Sequence, residues 1–241
     1  VSDGLAGRGK MRMAGGMAMA ALLLAGAMVA RAQDSSSSSD KGPVVHGSIA
    51  VNVPPSYDNK WDLFGGLSYM NWTAGPLFIP RSNAGGGEVM LTRWFTGPVS
   101  LLHAGPNRLG LVADLRGEYG TTSVHENPYG LHRTLVFQNM GLFGVTMRGP
   151  DGPNFALNAH VLGGSSRGDF SKGTDPTPET AVGLYTNRWA PIGAIGASID
   201  YNLQRKIALR FQPDLMLSHW GDATDTNFYI SIGLVYRFDR K

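Results

Sequence analysis

The 241-residue chain has a formal charge of +3, no cysteine, and 16% charged residues against 33 glycines and 10% aromatics. Scattered, weak charge leaves no electrostatic footprint for nucleic acid, and the missing thiols exclude disulfides, thiolate metal sites, cysteine nucleophiles and a cysteine lipid anchor. Abundant glycine and aromatics with little charge suit β structure with tight turns, not a helical bundle.

Residues 11–33 read MRMAGGMAMAALLLAGAMVARAQ. Arg12 gives a positive start, residues 13–30 are uncharged, and Ala30-Arg31-Ala32 supplies a small-x-small exit. This is the pattern of a secretory signal peptide cleaved between Ala32 and Gln33. A transmembrane helix is the alternative reading, since the uncharged run is borderline long enough to span. Its weak Ala/Gly/Met hydrophobicity favours cleavage. Residues 1–10 fit no targeting pattern, and a start at Met11 or Met13 explains them. The expected organisation is an extension with signal peptide over 1–32, a flexible Ser-rich leader over 33–59 and one domain over 60–241.

From residue 60 onward, eight segments have strand character: 61–72, 87–95, 109–121, 134–147, 155–164, 192–203, 207–220 and 227–238. The last, NFYISIGLVYRF, is the most regular. Phe228, Ile230, Ile232, Leu234, Tyr236 and Phe238 alternate with Tyr229, Ser231, Gly233, Val235 and Arg237. A period of two gives a strand with one greasy and one mixed face. The same alternation sets Leu111, Ala113 and Leu115 against Asp114, Arg116 and Glu118, and Leu209 and Phe211 against Arg210 and Gln212. The domain reads as all-β.

Connections alternate roughly between long and short. Residues 165–191 and 221–226 are read as loops on one side, and 148–154 and 204–206 as tight turns on the other, with 96–108 as the exception. That asymmetry is expected of an up-and-down barrel with long outer loops and short periplasmic turns. Aromatics fall near both strand ends. Tyr69, Trp72, Tyr119, Phe137, Trp189, Trp220 and Phe228 are expected to form an outer girdle, and Trp61, Phe64, Trp94, Phe95, Phe155, Tyr201, Tyr236 and Phe238 an inner one.

Alternation alone does not say which face is inside. A soluble lipocalin-like barrel hides its apolar face, whereas a transmembrane barrel turns it to lipid and fills a narrow lumen with polar side chains. The polar face here mixes small residues with charges of both signs. It is expected to form a lumen network of Asp62, Asp114, Arg116, Glu118, Asp200, Arg210, Asp214 and Arg237. Asp200 is expected opposite Arg210 across the turn at 204–206, and Asp62 opposite Arg237 if the first and last strands close the barrel.

The stretches KWDLFGGLSYMNW (60–72), LGLVADLRGEYG (109–120) and ISIGLVYRF (230–238) resemble small outer-membrane β-barrels, namely the barrel domain of the outer membrane protein A group and related porin-family proteins. The resemblance covers residues 60 to the end and implies an eight-stranded antiparallel up-and-down transmembrane barrel in a bacterial outer membrane after Sec-type export. It also implies outer-membrane lipids and the insertion machinery as partners, with the loops open to a surface partner. Tyr236 and Phe238 match the terminal aromatic signal that this machinery reads, although Asp239-Arg240-Lys241 follow where the family ends on the aromatic. The expected role is structural or surface-interactive.

Two alternatives are a soluble periplasmic binding barrel and a barrel enzyme acting on outer-membrane lipid. Pieces for the latter are Ser218, His219 and Asp222, or His125 and Glu126, but neither spacing places a base beside a nucleophile. The expectation is no enzyme activity, no metal and no cofactor. His160 is expected as a hydrogen-bonded lumen histidine, and Gly85-Gly86-Gly87, with no Lys-Ser/Thr following, as loop glycine.

Overall fold

The computed structural model describes residues 57–76, 81–95, 108–124, 126–170, 174 and 177–240. The signal segment, nearly all of the leader, and His46, His103 and His125 lie outside the described residues. Eight strands follow in order: β1 Asn59–Trp72, β2 Ser82–Trp94, β3 Arg108–Ser123, β4 Arg133–Asp151, β5 Phe155–Asp169, β6 Arg188–Asn202, β7 Ile207–Trp220 and β8 Ala223–Arg240. Each pairs antiparallel with its neighbours in sequence, and β1 pairs with β8 to close the barrel. Closure leaves the wall without a free sheet edge, so each strand bonds to a neighbour on both sides.

Alternation decides the faces, as β8 illustrates. Phe228, Ile232, Leu234 and Tyr236 are exposed on the outer surface, while Asn227, Tyr229, Ser231, Val235 and Arg237 are buried inside. Leu67 on β1 is 74% exposed and Leu115 on β3 is 66% exposed, yet Asp114 and Arg116 beside Leu115 are at most 2% exposed. The wall is apolar outside and charged inside. At a rise of roughly 3.4 Å per residue and a tilt of about 40°, a strand of β1's length climbs about 35 Å, more than a hydrocarbon core of about 30 Å.

Several expectations about connections and girdles are corrected. Gly85, Gly86 and Gly87 lie inside β2, not in a loop. Gly85 and Gly87 face outward, where the absent side chain erases the alternation that would have marked the strand. The segment read as a loop over 221–226 is a two-residue hairpin turn, Gly221-Asp222, because Trp220 already pairs with Ala223. Gly221 takes φ 65° at the first turn position, which favours glycine. The loop over 165–191 is shorter than expected, since β5 continues to Asp169 and β6 begins at Arg188. The long–short alternation therefore fails between β7 and β8. Trp72, Trp220, Phe64 and Trp94 are buried in the lumen and belong to no girdle. Tyr69, Tyr119, Trp189, Phe95, Phe155 and Tyr201 are exposed near strand ends, while Phe143 and Phe211 are exposed at mid-strand.

Candidate functional site

The lumen is built in three tiers. At the lower end, Asp62 on β1 accepts hydrogen bonds from Arg148 Nη2 and Trp94 Nε1, both at 2.8 Å, and pairs closely with Asn59. Asp62 and Arg237 do sit opposite each other in the β1–β8 register. Their side chains part company, however: Arg148 reaches Asp62 from β4, and Arg237 turns to Asp200 at 3.3 Å and Asn202 at 2.7 Å. Asp200 also accepts from both Nε and Nη2 of Arg210, at 2.7 and 3.0 Å, a bidentate contact across the β6–β7 hairpin.

Tyr57 lies over this tier. Its ring centroid is 5.0 Å from both the Arg148 and the Arg237 guanidinium, and its hydroxyl donates to Gly152 O at 2.8 Å and accepts from Asn202 Nδ2 at 2.6 Å. Burial pushes the phenol above its usual pKa, so it stays protonated and keeps donating. Tyr57 holds φ 49°, a conformation uncommon for a residue with a β-carbon. Tyr57→Ala should lower unfolding stability by about 1–3 kcal/mol, because two cation–π contacts and the hydrogen bonds of a half-buried hydroxyl disappear together. Urea titration of the detergent-solubilised barrel checks this.

The middle tier centres on one cation. Arg116 Nη2 lies 2.6 Å from Asp214 Oδ2, 2.7 Å from Asp114 Oδ2 and 3.6 Å from Glu88 Oε1, with its guanidinium 4.2 Å from the Tyr229 ring centroid. Gln212 Nε2 donates to Glu88 at 2.8 Å, His160 Nε2 is 2.9 Å from Asp214 Oδ1, and Glu118 pairs with Ser68. All these residues except Ser68 are buried. Three carboxylates thus gather on one guanidinium, with an imidazole on Asp214 and Glu118 close by on Ser68. Glu88, Asp114 and Glu118 each keep one carboxylate oxygen without a hydrogen-bond partner among the described residues.

The upper tier is apolar. The β5–β6 connection folds back over the mouth, with Phe170, Val182, Leu184 and Tyr185 buried beside Trp72, Ala74 and Trp220. A short 3-10 turn over Glu179–Val182 ends at Gly183, whose φ of 84° suits glycine and redirects the chain inward. Phe170 packs edge-on to Trp220 at 5.3 Å and to Tyr185 at 5.8 Å. The Tyr185 hydroxyl donates to Asp225 Oδ2 at 2.7 Å, and its N–H donates to Ala74 O at 3.0 Å. Burial, aided by Asp225, raises the Tyr185 pKa, which keeps this donor protonated. A β-carbon on Gly168 would lie 2.4 Å from Phe170 Cε2 and 2.7 Å from Trp220 Cη2. Gly168→Val should therefore unseat Phe170 and speed protease cleavage of the β5–β6 connection, read by limited proteolysis against the parent chain.

Among the residues singled out from sequence, Asp114, Arg116 and Asp214 meet one another, as do Asp200, Arg210 and Arg237, whereas Asp62 and Glu118 pair elsewhere. Glu88, Arg148 and Tyr57 were missed. Glu88 sits beside the misread glycines and Arg148 in a stretch read as a turn. Tyr236 and Phe238 lie on the outer face, with their rings stacked at 6.0 Å and Phe238 also stacked on Trp61 at 6.4 Å. Ser218 points inward to Asn227, while the exposed His219 bonds Thr224, so β7 separates the two and no Ser–His dyad forms there. Among the described residues, no group of three or more His, Asp or Glu could hold a metal ion.

No protein-family model and no curated protein matches the chain. Solved structures with a similar fold are small outer-membrane barrels. Ail, the attachment invasion locus protein of Yersinia pestis, solved in complex with the heparin analogue sucrose octasulfate, is 14% identical over 75% of this chain and 99% of its own, with a TM-score of 0.44. OprG from Pseudomonas aeruginosa is 10% identical over 76% of this chain and 98% of its own, with a TM-score of 0.46. Similarity this distant carries neither ligand nor partner to the present chain.

Proposed function

We propose that this protein is a bacterial outer-membrane β-barrel with a structural and surface-contact role, whose lumen is closed to general solute flow. One observation carries the reading: the faces are inverted relative to a water-soluble barrel. Leu67, Leu115, Ile195, Val161 and Leu234 are each more than half exposed, whereas Asp62, Asp114, Arg116, Arg148, Asp200 and Arg237 are at most 2% exposed. In water that arrangement would bare a continuous apolar belt and bury charges at a cost of several kcal/mol each. In a bilayer the belt meets hydrocarbon, and charges facing a closed lumen pair with one another.

A lipocalin-like binder would need an apolar internal cavity, and here the centre is filled by ion pairs. The β1–β2, β3–β4 and β5–β6 connections share one end of the barrel and are the surfaces available for contact with other molecules. The test is fractionation with a heat-modifiability gel, followed by planar-bilayer recording. The expected result is a detergent-requiring chain, faster-migrating unboiled than boiled, without stable conductance steps. A mature chain that stays monomeric in buffer without detergent would end the reading.

Phe238 is proposed as the residue that the insertion machinery reads. Phe238→Ser should lower the assembled fraction several-fold in cells while Tyr69→Ser, also an outward aromatic, leaves it near normal. Equal assembly of the two variants would remove that role.

A further inference from the structure

The outer wall is not uniform. Across β2 to β5 it carries a groove of about 500 Å³ whose outward lining includes Val89, Leu115, Gly141, Phe143, Gly163 and Ser165. The groove exists because glycines replace side chains in the wall, with Leu115 and Phe143 standing as its sides. Gly141 faces Ser165 across the β4–β5 pair, and Phe143 faces Gly163.

Along β5 the outward positions above the groove floor run Gly163, Ser165, Arg167, each step rising roughly 7 Å. Arg167 is exposed, faces Asn139 on one side and Trp189 on the other, and lies 5.8 Å from the Trp189 ring. It makes no ion pair among the described residues. Asp169 stands one step higher on the same strand.

An apolar trough thus ends, about 14 Å up the strand, at a guanidinium with no ion-pair partner among the described residues, flanked by an amide and an indole. We propose that this face holds one membrane lipid in preference to the rest, with an acyl chain in the groove over Gly141 and Gly163 and a phosphate-bearing anionic headgroup on Arg167, Asn139 and Ser165. The inference rests on the membrane reading above. A planar guanidinium matches phosphate oxygens in pairs, and Trp189 is placed where an interfacial ring sits.

The test uses the full barrel in vesicles of phosphatidylcholine and phosphatidylglycerol, with spin-labelled versions of each lipid reporting the fraction held at the protein surface. The parent chain should hold phosphatidylglycerol several-fold better than phosphatidylcholine. Arg167→Gln should bring that ratio close to one. Gly163→Leu should reduce the held fraction of both lipids, since a β-carbon at Gly163 meets nothing within 4 Å and the larger side chain fills the groove without disturbing the wall. Gly141→Leu provides the same test independently, its β-carbon meeting only Leu115 Cδ2, at 3.8 Å.

Arg93→Gln, at the opposite rim over Trp61, should leave the ratio unchanged. An equal loss of preference in Arg93→Gln and Arg167→Gln, or full lipid retention in both Gly163→Leu and Gly141→Leu, would overturn the site. A chain that never enters the vesicles overturns the membrane reading, whereas one that enters without lipid preference overturns only this proposal.

Discussion

Arg116→Met should destabilise the barrel by about 3–5 kcal/mol, the usual cost of removing one partner of a buried ion pair. The reason is the shortage of cations in the middle tier. Asp214 and Asp114 both lie within 2.7 Å of Arg116 Nη2, Glu88 is 3.6 Å away, and all four side chains are fully buried. Losing the guanidinium leaves Asp214 with its His160 contact but strips Asp114 and Glu88 of their cation and Tyr229 of its cation–π partner. Methionine keeps much of the volume, so the loss reports charge and not a cavity.

Urea unfolding in detergent micelles, followed by tryptophan fluorescence, measures the effect. Two companions sharpen it. Arg93→Met, on the exposed lower rim over Trp61, should cost less than about 1 kcal/mol. Arg116→Met combined with Asp114→Asn and Asp214→Asn should regain at least half of the loss, because the uncompensated charges go with their partner. A triple variant no more stable than Arg116→Met would mean that the tier is held by packing and not by charge balance.

Ile232→Arg should cost about 2–4 kcal/mol in a bilayer, the penalty for a cation near the midplane of a barrel's lipid face. Ile232 is 51% exposed on β8, facing Leu67 on β1 and Phe211 on β7. Were this surface in water, replacing an exposed isoleucine would change stability by no more than about 0.5 kcal/mol. Thr226→Arg, exposed near the upper end of the same strand, should cost no more than about 1 kcal/mol, since the penalty falls toward the interface. The contrast between the two positions carries the information. Equal small losses would place the belt in water.

The two faces of β8, and those of β3 and β7, were legible because period-two alternation depends only on neighbours in sequence. β2 was half lost, since outward glycines at 85 and 87 carry no polarity to alternate. Trp72 and Trp220 were misassigned to a girdle by their height on the strand. Their parity held the answer: Trp72 shares a face with Asp62, and Trp220 with Asp214, so each must point inward. The Asp62–Arg237 register was readable from closure of β1 on β8, but their actual partners were not. Arg148 reaches Asp62 from β4, on a distant part of the ring, and a spacing along one strand cannot encode which side chain crosses the lumen. The folding of Phe170, Leu184 and Tyr185 into the mouth was hidden for the same reason.

The chain contains no cysteine, so single cysteines can be placed along β8 from 228 to 237 and labelled with a fluorophore in the assembled barrel. Quenching by brominated lipid tests the central claim that the greasy face meets hydrocarbon. Labels at 228, 230, 232, 234 and 236 should be quenched strongly and those at 229, 231, 233, 235 and 237 weakly, giving a sawtooth of period two. A flat profile, or even-numbered positions reached instead by a water-soluble quencher, would contradict it.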